Sequence, residues 1–86
     1  MPSINCEAYD YLEIACLYHY QVVLALRNGT SISGKALNVG VVILSDIKQE
    51  AMLIEQADGE SIWLPTSDLV NMQVDTPESQ FTFVSF

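Results

Sequence analysis

Glu7, Asp10 and Glu13 recur at three-residue spacing early in the chain, with Cys6 before them and Cys16 and His19 after. Carboxylates spaced this way fall along one side of a helix, where they can pair with cationic groups on another molecule. Two thiols and an imidazole are the soft ligands of zinc sites. Their spacing, nine residues and then two, matches no structural zinc pattern, and a fourth ligand is missing. No metal and no cofactor is expected. A catalytic reading needs a nucleophile beside a base, paired carboxylates in a cleft, or a phosphate cradle. None is visible, so no catalytic residue is assigned and an enzyme is not expected. His19, the single histidine, stands where helix passes to strand and reads as a structural residue. Cys6 near a helix N-terminus could carry a lowered thiol pKa, although a small packed residue is the commoner role.

The element that must position these groups is a helix over about residues 5–17. Asn5 can cap it, Glu7 lies in its first turn, and no Gly or Pro interrupts it. At 100° per residue, Ile4, Ala8, Tyr11, Leu12 and Ala15 form one stripe for the core. Glu7, Asp10 and Glu13 lie opposite. Ile14 and Leu17 fall on the acidic side and Tyr9 borders it, a mixture that suits an interaction patch. Alternatively the helix is shorter and Leu17 packs inside. If one helix holds both cysteines, ten residues at 1.5 Å rise place their Cα atoms about 15 Å apart. That is beyond disulfide reach, so free thiols are expected, which fits a reducing cytoplasm.

Three basic residues against eleven acidic ones leave a formal charge of −8 over 86 residues, with half the chain hydrophobic and 16% charged. This is the composition of one globular domain, 1–86, not of a disordered acidic tail. Binding nucleic acid rests on Lys and Arg neutralising phosphates, so direct nucleic-acid binding is not expected. The favoured partner is a positively charged macromolecule. No run approaches the roughly 20 apolar residues of a membrane span, and no basic-then-apolar leader opens the chain. A cytoplasmic protein without membrane association, monomeric when free, is expected.

From about residue 20 to residue 86 the pattern changes to short runs rich in Val, Ile, Thr and aromatics, divided by turn signals. Seven strands are expected: Tyr20–Arg27, Thr30–Leu37, Val39–Ser45, Ala51–Gln56, Glu60–Leu64, Leu69–Val74 and Gln80–Phe86. Asn28-Gly29 suggests a type I′ hairpin turn, Gly34 a bulge or bend, and Asp46 to Glu50 a polar loop. The C-terminal strand is expected to close the sheet, since a free edge of this composition invites aggregation. The fold class is mainly β, a small barrel or sandwich with an N-terminal α-helix.

The segment Ile4-Asn5-Cys6-Glu7-Ala8-Tyr9-Asp10-Tyr11-Leu12-Glu13-Ile14-Ala15-Cys16, with His19 following, closely resembles the N-terminal signature of the Rof family of bacterial Rho-binding antiterminators. The likeness continues through Leu26-Arg27-Asn28-Gly29, Lys35-Ala36 and Gly59-Glu60, while the region from Leu37 to Ala51 is longer than in the family pattern. The resemblance implies an Sm-like β fold that binds the termination factor Rho at its N-terminal RNA-binding region. Binding there would block RNA loading at the primary site and suppress Rho-dependent termination. Carried over by position, the family's helix contacts are Tyr9, Asp10 and Glu13, with Cys6 and Glu7 adjacent. A further contact in a middle loop maps to Asp46 through Lys48. An alternative is an Sm-like RNA-binding module, because Leu26-Arg27-Asn28-Gly29 followed by Gly34 resembles the first Sm motif. The Asp-x-x-Met-Asn that usually follows it is absent, and so is a basic lining.

Overall fold

The computed structural model describes residues 6–76, 79 and 81–86, with side chains from Tyr9 onward. Ile4, Asn5 and Gln80 lie outside the described residues, so the expected helix cap and the start of the last expected strand do too. The chain runs α1 (Cys6–Leu17), β1 (Gln21–Leu26), β2 (Ser31–Leu44), β3 (Ile47–Glu55), β4 (Ser61–Pro65), a 3-10 turn (Thr66–Asp68), β5 (Leu69–Val74) and β6 (Phe83–Ser85). The strands form one antiparallel sheet in the order β4-β3-β2-β1-β5-β6. The expected barrel or sandwich is therefore realised as a single sheet with the helix packed on it. Among the described residues β6 pairs with β5 alone and does not close the sheet.

Among the described residues six strands replace the expected seven, because Thr30–Leu37 and Val39–Ser45 are two halves of one strand. The break read at Asn38 is a bulge: the β2–β3 register shifts between Ala36 and Asn38, so Leu37 is the extra residue. The first half of β2 pairs with β1 and the second with β3. Gly34 sits at the crossing. A Cβ there would collide with the Glu55 carbonyl oxygen and stand 2.6 Å from Ile54 Cγ2, so only glycine lets the two backbones approach.

The turns exchange roles relative to the expectation. At Asn28-Gly29 only Gly29 has positive φ, +89°. Its N–H donates to the Leu26 carbonyl at 3.0 Å, and the Leu26 N–H donates to Thr30 O at 2.9 Å. This is a type I turn closed by a glycine bulge. Asn28 Oδ1 completes it by accepting from the Thr30 N–H at 3.0 Å. Gln56 to Glu60 repeats the design, with Gly59 also at +89° and Asp58 Oδ1 accepting from the Glu60 N–H. The two-residue turn with both φ positive is instead Ser45-Asp46, at 52° and 63°. It converts the expected Asp46–Glu50 loop into a tight turn followed by strand.

The helix stop explains His19. The Tyr20 N–H reaches back to Ala15 O at 2.9 Å and the His19 N–H to Cys16 O at 3.2 Å, the paired bonds of a Schellman cap. His19 takes the left-handed position at φ 52° where glycine is usual, and its ring Nδ1 lies 3.0 Å from Ala36 O on β2. The histidine thus clamps the helix end to the sheet.

Leu12, Ala15 and Cys16 of α1 are buried against Val22, Leu24, Ala36, Met52, Ile54, Leu69 and Met72 of the sheet. Ile14, placed on the acidic side by periodicity, packs partly on this core as well. Leu17 does not; it is 71% exposed, which excludes its burial inside a shorter helix. Phe81 edges onto Tyr11 at 4.9 Å and Tyr20 at 5.8 Å between ring centroids, tying the C-terminal segment to the helix.

Candidate functional site

Burying Leu12, Ala15 and Cys16 fixes the rotation of α1 about its axis. Asp10 and Glu13 are thereby left in solvent, with Tyr9 half-buried at their edge. Cys6 and Glu7 lie on the first turn of the same helix, and their side chains are outside the described residues. The free thiol of Cys16 is buried and pushed up to about 12, first by loss of solvent and then by the neighbouring Glu13 carboxylate. A thiol held protonated in this way is packing material rather than a nucleophile.

Tyr9 reveals a group that sequence reading missed. Its phenol is raised above the usual value by its own burial first, then by Glu50, Glu13 and Cys16. Glu50 lies on β3, opposite Val41 of β2, so the sheet brings a fourth carboxylate to the helix edge. The signal was present as alternation: Glu50, Met52 and Ile54 share one face of a strand, and Met52 and Ile54 are buried in the core cluster that the helix residues Leu12, Ala15 and Cys16 join. Reading Asp46 to Glu50 as a loop hid it.

Lys48 shares that face two residues farther out, opposite Ile43, and Asp46 stands in the hairpin turn. On strand geometry, Lys48 is about 7 Å and Asp46 about 13 Å along the arm from Glu50. Among the described residues, no hydrogen bond ties either to the helix. Val41 and Ile43, 57% and 72% exposed, make the same face of this arm apolar.

The three basic residues are dispersed. Arg27 is engaged at the β1–β2 turn, its Nε donating to Ser67 O at 2.6 Å, while Lys35 is half-buried on β2 and Lys48 stands on the β3 arm. Arg27, Lys35 and Lys48 therefore form no continuous basic strip. Among the described residues, no group of three His, Cys, Asp or Glu could hold a metal ion, and no helix is long and apolar enough to cross a membrane.

A family model described as modulator of Rho-dependent transcription termination (ROF) matches residues 3–86. Protein rof of Escherichia coli K12 and that of Shigella flexneri are each 36% identical to the chain over 58 residues, which is 67% of this chain and 63% of theirs. The matched segment thus spans less than two thirds of those curated relatives. A solved structure described as YaeO bound to magnesium, from Vibrio cholerae O395, superposes with a TM-score of 0.79 at 31% identity, covering 91% of this chain and 96% of that one.

Proposed function

Because the chain belongs to the ROF family of modulators of Rho-dependent transcription termination, we propose that it inhibits the termination factor Rho by occupying the basic surface that receives RNA. The observation that carries this reading is the exposed pair Asp10 and Glu13 beside half-buried Tyr9, extended across the fold by Glu50. On a molecule of charge −8, these carboxylates are available to the Arg and Lys of a partner. Such groups would otherwise hold phosphates, so the helix acts as a phosphate mimic and competition needs no catalysis. Charge-assisted pairs of this kind supply orientation and association rate as well as affinity, and they weaken with salt.

Tyr9 contributes a ring that is partly buried before binding, so little rotamer freedom is lost when a partner covers it. Cys6 and Glu7 extend the contact toward the helix start, and Asp46 and Lys48 extend it along the β2–β3 arm. The protein acts as one cytoplasmic domain, monomeric when free because copies at −8 repel each other.

The test is competition. Labelled oligocytidine is loaded on the primary site of purified Rho and the protein is titrated in at two salt concentrations. Displacement that is weaker at the higher salt is the expected result. Binding to Rho without displacement would refute the mimicry, and absence of binding at either salt would refute Rho as the direct target.

A further inference from the structure

The second half of β2 leaves the body of the sheet with one edge open. Its pairing with β1 stops at Lys35, and the Ala36 N–H makes the last bond on that side, to Tyr20 O at 2.9 Å. Beyond it, Val39 to Leu44 pairs with β3 alone among the described residues. The two-residue turn at Ser45-Asp46 decides which backbone groups face out. The pair flanking such a turn, Leu44 and Ile47, exchanges both of its backbone bonds, and the bonded pairs then alternate, Val42 with Gln49 and Gly40 with Ala51. The N–H and C=O groups of Val39, Val41 and Ile43 therefore point away from β3. Asn38 bears this out, since its Oδ1 accepts from the Val39 N–H at 2.9 Å on that outer side. Val41 and Ile43 keep both groups open.

Sheet edges are normally guarded by short length, proline or charge. The others here are guarded: β6 has three residues, β4 has five and ends in Pro65, and β3 carries Lys48 and Glu50 near the turn. The β2 edge has no charge and no proline from Asn38 to Leu44, and the Val41 and Ile43 side chains beside it are exposed. Open backbone groups recurring at about 7 Å, each beside an apolar side chain, fit an extended chain with apolar residues at alternate positions. A second copy of this protein is disfavoured. Laid antiparallel along the same edge, it brings Asp46 of each copy toward the other's Glu13, which borders Val39, between molecules that each carry −8. The same charges favour a segment of a basic protein. We propose that the β2 edge from Val39 to Ile43 captures an extended segment of the partner protein as an added strand. The inference rests on the Rho reading above and deepens it, adding a backbone contact that the carboxylates do not supply.

Hydrogen exchange of the intact protein, alone and bound to purified Rho, tests the edge directly. In the free protein the Val41 and Ile43 amides should exchange quickly and that of Val42, bonded to Gln49, slowly; in the complex Val41 and Ile43 should slow about tenfold or more. Val41→Pro removes an outward N–H where an edge strand tolerates proline, whereas Val41→Thr keeps it. Val41→Pro is expected to weaken Rho binding about tenfold, with Val41→Thr within about threefold of wild type. Unprotected Val41 and Ile43 in the bound state, or equal binding by the two variants, would overturn the added strand and leave the Rho reading standing. Slowing of both amides without Rho, growing with protein concentration, would overturn the partner segment in favour of a second copy. No binding by wild type would overturn the premise and this proposal with it.

Discussion

Neutralising Glu50 separates a binding surface built on the helix alone from one assembled by the fold. Glu50→Gln removes one charge from β3 and preserves shape. Glu50 is an exposed strand residue whose carboxylate makes no hydrogen bond among the described residues, the Thr66 hydroxyl donating to its backbone carbonyl instead, so the change in stability should stay within about 0.5 kcal/mol. Two readouts then apply. The first is internal: Glu50 is the second cause, after burial, of the raised Tyr9 phenol. Removing its negative charge must lower the Tyr9 value toward 10.0, the ordinary phenol value, as read from the Tyr9 ring resonances in a pH titration. The second is binding. A unit-charge pair at 4 Å is worth about 1 kcal/mol in bulk water and about 4 near a protein surface before desolvation and side-chain ordering are subtracted, whereas measured exposed pairs give about 0.2–1. Glu50 stands between these limits because it lies against half-buried Tyr9. Loss of about 1 kcal/mol, roughly a fivefold weaker Kd for Rho at low salt, is expected. Asp58→Asn, in the remote β3–β4 turn, should leave Kd unchanged. If Tyr9 does not move, the helix and β3 are not assembled as described. If Tyr9 moves and Kd does not, the contact surface ends at the helix.

Three further outcomes test the scaffold. Gly34→Ala should destabilise the protein by about 2–3 kcal/mol in urea unfolding, because its Cβ would collide with the Glu55 carbonyl and Ile54 Cγ2; an unchanged midpoint would refute the close crossing of β2 and β3. His19→Ala should cost about 1–2 kcal/mol by removing the ring contact to Ala36 O while keeping a left-handed non-glycine residue, and His19→Gly should cost less because it relieves φ; the two melting temperatures decide. Cys16, raised from 9.0 to about 12, favours its protonated form in the folded state, so its contribution is complete below pH 9.0 and is lost as pH rises toward about 12. Alkaline unfolding of Cys16→Ala should be flatter over that window, and identical slopes would refute the burial of the thiol.

The helix, its buried Leu12-Ala15 stripe and its exposed acids were legible in the chain, because a 3.6-residue period states which side must leave water. β5 was legible for a similar reason: Leu69–Val74 is a short apolar run ended by polar residues. The helix residues proposed to meet Rho, Cys6, Glu7, Tyr9, Asp10 and Glu13, are likewise local, so a single stretch of sequence carries them. What local pattern could not reveal depends on long-range pairing. The bulge at Leu37 joins two apparent strands, and the choice between a turn at Ser45-Asp46 and a five-residue loop is made by the register of Leu44 on Ile47. The mainly β class with an N-terminal helix was legible, whereas whether the sheet closes was not, since closure depends on which edges meet and periodicity does not specify that. His19 as a helix clamp required Ala36, 17 positions away. Glu50 beside Tyr9 is tertiary in the strict sense. A carboxylate on β3 acquires its electrostatic meaning only when the buried stripe of α1 fixes how the helix lies on the sheet. Sequence alone thus determined the charge and the face that carries it, whereas the packing of that helix on a bent strand decided which distant groups stand beside it.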